Sequence, residues 1–220
     1  MSFLIAVLTS RDSKKLHRCL LSIPTKYDTK VICNTLNPRY YTKAQNICRK
    51  HNVEMIITKS NGTPGKGKNS VLNYFLENTK YDYVILIDGD DYFFPDGVDK
   101  VISILTNSPD IDVLGLENCH VVEEKVFDIS EYEKTFLPKD LNVDLTYFSK
   151  FINYFNTQFN NDNKDSVANF HRLIAYSRRS VKKIKYDESL IGCEDMLFSI
   201  QLKKLDENGI LNFKLTNCTK

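Results

Sequence analysis

Three carboxylates fall within four positions at Asp88-Gly89-Asp90-Asp91, directly after the apolar run Tyr83 to Ile87. Like charges gathered at the end of a buried strand repel one another and resist leaving water, and a cation among them relieves both costs. The chemistry this spacing offers is binding of a divalent metal through oxygen. Asp-Gly is equally a turn signal, and Pro95-Asp96-Gly97 follows closely, so a solvated turn is the competing reading. A second segment, Gly62 to Asn69, comes near the P-loop pattern that cradles phosphates. Asn69, however, stands where that pattern needs a magnesium-binding hydroxyl, and Ser70 comes one residue late. The same basic stretch can instead lie beside the acidic turn, with Lys68 or Asn69 against a diphosphate. A third feature, Glu194-Asp195, opens an apolar-periodic stretch, where acids suit either proton transfer or the positive end of a helix dipole.

These groups need elements to carry them. Phe3 to Leu8 reads as a buried strand, and Lys14 to Ile23 as a helix with Leu16, Leu20 and Ile23 on one face. Val31 to Cys33, Val53 to Thr58 and Tyr83 to Ile87 read as further strands, separated by helices at Thr42 to Asn52 and Ser70 to Asn78. This alternation predicts an α/β fold with a mostly parallel central sheet and helices covering it. Ligands of such sheets gather at the carboxyl ends of the strands, in the crevice where strand order reverses. Thr9, Ser10 and Arg11 follow the first strand there, Asn34 the second, and the acidic turn the fourth.

Beyond the turn, a helix through Val98, Val101, Ile102 and Leu105 leads to a strand at Ile111 to Leu116. From Glu117 to about Asn169 the chain is polar and irregular, with an aromatic helix where Phe148, Phe151, Ile152 and Phe155 share a face, and an exposed loop at Asn160 to Asp165. Order resumes with a strand at His171 to Ser177, a helix at Glu194 to Leu205 ended by Gly209, and a last strand at Ile210 to Leu215. The basic run Arg178 to Lys185 reads either as a solvated surface or as a means of steering an anionic acceptor.

The whole chain of 220 residues, 1–220, suits one domain with a full core. Hydrophobic residues make up 42% and charged residues 26%, with a net charge of +2, so global charge singles out no polyanionic partner. The six cysteines are scattered, with no Cys-x-x-Cys pair to suggest a zinc or redox site, and read as reduced thiols, mostly in the core. No apolar run is long enough for a signal peptide or a membrane span. A cytoplasmic protein is the simplest expectation.

Five segments in order resemble the family-2 glycosyltransferases, which have the GT-A fold. Val7 to Ser10 followed by Leu16 to Ile23 is similar to the opening strand, loop and helix of that family. Asn61 to Asn69 resembles its N-x-G-x-x-x-A-R-N segment, with Lys68 in place of arginine. Tyr83 to Gly97 resembles its DxD strand, turn and proline, and Tyr186 to Leu190 and Gly192 to Asp195 resemble its last two elements. Where the family carries an acidic D-D-G-S segment that grips base and ribose, this chain has Asn34-Thr35-Leu36-Asn37. The resemblance implies a single, Rossmann-like GT-A domain with helices on both faces of its sheet. Residues 1–117 would be its nucleotide-sugar-binding half, and 118–220 an acceptor-side half with an insertion at about 118–170.

The implied activity is metal-dependent, inverting transfer of a sugar from a nucleotide-sugar donor, UDP-linked, to a hydroxyl. In that scheme Asp90 ligates Mn2+ or Mg2+, and Asp88 lies at the ribose or the metal-bound water, with Asp91 in support. Thr9, Ser10, Arg11, Asn34, Lys68, Asn69, Asp88 and Gly89 bind the nucleotide sugar, and Asp195, beside Glu194, is the base. The acceptor stays open among glycan, lipid-linked sugar, protein and modified nucleic acid. A P-loop phosphotransferase and a non-catalytic nucleotide-sugar binding module are the rival classes.

Overall fold

The runs Leu4 to Val7 and Val84 to Ile87 are buried without polar alternation, as strands are when helices cover both faces of a sheet. The computed structural model, which describes residues 1–116, 172–191 and 194–216, places them side by side at the centre of such a sheet. Strands β1 (Phe3–Thr9), β2 (Thr29–Asn34), β3 (Glu54–Thr58), β4 (Tyr83–Asp88), β5 (Val113–Leu116), β6 (Arg172–Ser177) and β7 (Phe213–Thr216) lie in the order β3-β2-β1-β4-β6-β5-β7. β1 pairs in parallel with β2 on one side and β4 on the other, and β2 with β3. β6 runs antiparallel to both β4 and β5, while β7 joins β5 in parallel. The β5–β6 ladder ends at the pair Leu116–Arg172, after an irregularity between Leu114 and Gly115.

Because successive strand residues point to opposite faces, β1 sends Ile5 and Val7 one way and Leu4 and Ala6 the other. Ile5 and Val7 join a core with helices α1 (Ser13–Leu21), α2 (Pro38–Lys50) and α4 (Gly97–Asn107), through Leu16, Ala44 and Val101 among others. Leu4 and Ala6 join a second core with α3 (Pro64–Glu77) and α6 (Glu194–Glu207), through Leu72, Phe75, Phe198 and Leu202. A short helix α5 (Arg178–Val181) follows β6. Among the described residues no helix is long and apolar enough to cross a membrane.

Helix α3 departs from the sequence expectation. The segment Gly62 to Asn69 was expected as a loop ahead of a helix from Ser70, yet the helix begins at Pro64. The Thr63 side chain caps it by accepting from the Lys66 amide, and proline at the first turn sacrifices no bond. Two glycines inside the helix are set by packing. A Cβ at Gly65 would stand 2.2 Å from the Asp187 carbonyl oxygen, and one at Gly67 3.1 Å from the Leu8 side chain. A helix cannot wrap its amides around a phosphate as a P-loop does, so the phosphotransferase alternative loses its binding element.

The basic run is likewise divided. Arg178 is half-buried and donates to the carbonyl oxygens of Tyr81 (2.6 Å), Leu76 (3.1 Å), Phe75 (3.0 Å) and Asn78, closing the C-terminal end of α3. Lys182, Lys183 and Lys185 are exposed. α2 starts at Pro38, four residues ahead of the expected helix, because Asn37 caps it. The expected aromatic helix over Phe148 to Phe155, the loop at Asn160 to Asp165 and His171 lie outside the described residues.

Gly65→Ala tests the close approach of α3. In an open helix this change stabilises by about 0.5–1 kcal/mol. Against a backbone carbonyl it is expected to cost a net ~1 kcal/mol or more by overpacking, read as a lower urea midpoint. An unchanged or raised midpoint would show that the helix has room to spare.

Candidate active site

Strand order reverses between β1 and β4, and their carboxyl ends hold the acidic turn against the loop after β1. Gly89 makes this fit. Its amide donates to the Leu8 carbonyl at 2.6 Å, and an added Cβ would lie 3.0 Å from that oxygen and 3.1 Å from the Thr9 hydroxyl. The turn closes through the Asp91 amide, which donates to the Asp88 carbonyl at 2.9 Å. Beneath it, burial pushes the Cys19 thiol far above its ordinary range, and the charges of Asp91, Asp88 and Asp90 push it further.

A cavity of about 590 Å³, within the range of small-ligand sites, opens at this point. Thr9, Ser10, Arg11, Asn34, Lys68, Asp88, Gly89, Asp90, Glu194 and Asp195 all line it. Residues from the sequence's beginning, middle and end thus share one space. Asp91 is not among the walls, and neither is Asn69.

Asn69 corrects the expectation of a phosphate contact. It is buried, its amide nitrogen donates to the Tyr186 carbonyl (2.9 Å) and to Glu188 Oε1 (2.9 Å), and its oxygen accepts from the Tyr186 amide (3.0 Å). It zips α3 to the segment 186–188, helped by the Thr63 hydroxyl, which donates to the Glu188 carbonyl at 2.9 Å. Lys68, one residue earlier, faces the cavity but is only 4% exposed. Its ammonium donates to Glu194 Oε1 at 2.8 Å and to Asp195 Oδ1, and lies 5.2 Å from the centre of the Tyr186 ring. Glu194 is buried, whereas the Asp195 side chain is 26% exposed toward the cavity it lines.

On the other wall, the Asn34 amide nitrogen is held by the Thr58 hydroxyl (2.8 Å) and the Lys59 carbonyl (3.2 Å). The Thr9 hydroxyl is hydrogen-bonded to the phenol of Tyr40. Sequence reading missed Tyr40, which sits on α2 ahead of the expected helix start. It also missed Leu36 and Ile191, which line the cavity while 72% and 86% exposed. Their lack of burial partners is a tertiary fact that no local spacing encodes.

Among the described residues no three His, Cys, Asp or Glu side chains form a closed metal cage. Asp88 and Asp90 supply hard oxygen donors beside an open cavity. That set fits magnesium or manganese, which are commonly held by one or two carboxylates with water and substrate phosphates completing the shell.

Residues 13–185 match the family Glycosyl transferase family 2. No curated protein matches the chain by sequence. Among solved structures, S. aureus TarS is similar over 99% of this chain and 35% of its own, with a TM-score of 0.59 at 17% identity. The mannosyltransferase PcManGT from Pyrobaculum calidifontis, solved in complex with GDP-Man and Mn2+, is similar over 98% of this chain and 54% of its own, with a TM-score of 0.56 at 14% identity. These likenesses establish the GT-A fold. The chain spans 35% of the length of the TarS structure and 54% of that of PcManGT.

The burial of the Tyr40 phenol has an alkaline signature, which its bond to Thr9 only partly offsets. Burial pushes the Tyr40 phenol up to about 12 from its ordinary 10.0, so the folded chain holds this proton more tightly than the unfolded one. Its contribution is complete below about pH 10 and declines as pH rises toward about 12. Tyr40→Phe is expected to cost about 1 kcal/mol at neutral pH, where the Thr9 hydroxyl loses its partner. Between about pH 9 and about pH 11 the variant should lose less stability than the parent in urea unfolding, and equal losses would place the titration elsewhere.

Proposed function

Because the chain belongs to Glycosyl transferase family 2, we propose that it moves a sugar from a nucleotide-sugar donor to a hydroxyl acceptor in one inverting displacement. The observation that carries this reading is the meeting of Asp88 and Asp90 with Glu194 and Asp195 in the walls of one cavity at the strand-order reversal. Sugar transfer needs two things on opposite sides of the anomeric carbon: a sink for the departing diphosphate and a base for the incoming hydroxyl. The acidic turn and the start of α6 are candidates for those two roles.

In this reading Asp90, with Asp88, holds Mn2+ or Mg2+. The metal, when bound, offsets the charge that builds on the leaving diphosphate. Thr9, Ser10, Arg11, Asn34 and Gly89 surround the nucleotide, with Asp88 also near the ribose. Asp195 takes the acceptor proton on Oδ2, its Oδ1 being engaged by Lys68. The acceptor oxygen forms its bond to the anomeric carbon as the bond to the diphosphate oxygen breaks on the opposite face. Residues 1–117 supply the donor side and 118–220 the acceptor side. The donor is UDP-linked in our first choice, with GDP-mannose, the ligand of the Pyrobaculum calidifontis protein, the next to test. A cytoplasmic setting accords with the free, buried thiols of Cys19, Cys33 and Cys48.

Thermal unfolding with UDP-glucose and GDP-mannose, with and without MnCl2, followed by assay of donor hydrolysis, tests the proposal. A manganese-dependent rise in melting temperature together with hydrolysis is expected. Binding without turnover would mark a binding module instead. Asp90→Ala should abolish the manganese-dependent part of the shift. Asp195→Asn should lower turnover by about 10²–10⁴-fold with donor binding kept, and loss of donor binding instead would refute its role as base.

A further inference from the structure

Lys68 sits where a phosphate-binding cation was expected, yet its ammonium is engaged elsewhere. We propose that Lys68 is a positioning residue, acting on the reaction through Glu194 and Asp195 and not as a ligand of the donor diphosphate; this rests on the transferase reading above.

Three observations carry it. The Lys68 ammonium and Glu194 are both almost fully out of water and 2.8 Å apart. To reach a diphosphate, the ammonium would have to leave a buried carboxylate without its counter-charge, the costly state for any buried ion pair. Next, Glu194 and Asp195 are consecutive on α6, so their side chains leave the helix about 100° apart. Both nevertheless hydrogen-bond the same nitrogen, so Lys68 fixes the direction of each. It also offsets one of two neighbouring negative charges, so the group presents a single net negative charge to the cavity. Finally, the lysine is itself held from behind. Gly65 and Gly67 bring α3 against Asp187 and Leu8, Asn69 binds the Tyr186 backbone on both sides, and the Tyr186 ring lies 5.2 Å from the ammonium.

The arrangement divides labour within the acidic pair. Glu194 is the buried anchor that keeps Lys68 in place, and Asp195, partly exposed, is the group presented to an acceptor. Arginine carries a planar fork able to meet two carboxylates at once, so it can replace the lysine in this role. A neutral side chain cannot.

The test compares the parent with Lys68→Arg, Lys68→Met and the double variant Lys68→Met/Glu194→Gln. Hydrolysis of UDP-glucose and GDP-mannose gives kcat and KM, and calorimetric titration with UDP or GDP plus Mn2+ gives Kd. Lys68→Met is expected to lose kcat by about tenfold or more, with KM and Kd within about twofold of the parent. Lys68→Arg should recover most of that loss. If Lys68→Met fails to fold, the double variant, which leaves no unpaired charge at position 194, takes its place in the same measurements with the same expectation. A rise of about tenfold in Kd with kcat preserved would make Lys68 a diphosphate ligand and overturn the proposal, as would no change in either quantity. Absence of any hydrolysis by the parent would defeat the transferase reading alone. The link between Lys68 and Glu194 is then read from melting temperatures, where Lys68→Met should lower the value and the added Glu194→Gln should restore part of it. Independent, additive effects there would refute the link itself.

Discussion

A lysine ammonium out of water must find negative charge, and meeting that requirement brings the two halves of this site together. Lys68 is on α3, in the middle of the chain, and its partners are 126 and 127 residues further on at the start of α6. Neither side is comfortable alone, since a buried charge left without its partner typically costs about 3–5 kcal/mol. The surrounding packing serves the meeting. The glycines of α3 remove the side chains that would hold it away from Asp187 and β1, and Asn69 and Thr63 fasten it to the segment 186–188 that leads into α6. What looks in sequence like a phosphate loop is thus a docking helix with a charged tip.

The acidic turn is built on the opposite principle. Asp90 and Asp91 are exposed and Asp88 partly so, and no closed ring of ligands forms around them among the described residues. Their proximity is enforced by backbone, through Gly89 against Leu8 and the Asp88–Asp91 turn. One wall of the cavity therefore carries its own counter-charge, and the other presents the carboxylates of Asp88 and Asp90.

Much of this was legible in the sequence, and the limits have physical causes. Unbroken apolar runs at Leu4 to Val7 and Val84 to Ile87, alternating with helical stretches, read as parallel strands covered on both faces, and that places Asp88 and Thr9 at one end of a sheet. Glu194-Asp195 stood out because acids at a helix start have both a structural and a chemical use. The start of α3 was missed because glycine and proline lower helix propensity, and the local signal gave way to tertiary packing against Asp187. The true partners of Lys68, Asn69 and Arg178 were hidden for another reason. Each lies about a hundred residues away in the chain, and Arg178 spends its donors on backbone carbonyls, which have no side-chain signature.

The antiparallel strand β6 also bears on how such a protein can diversify. Among the described residues β5 ends at Leu116 and β6 begins at Arg172, and these two residues face each other across the β5–β6 ladder. The sequence between them thus starts and ends at one point, like a cassette whose two contacts are already fixed. The entropy of closing such an excursion grows only with the logarithm of its length, about 0.6 kcal/mol per doubling. Because β5 runs in the same direction as β4, that point lies at the end of the sheet where the cavity opens. Evolution can therefore rewrite the sequence joined at that point in length and composition, while the strand that carries Asp88 and the helices that carry Lys68 and Asp195 keep their places.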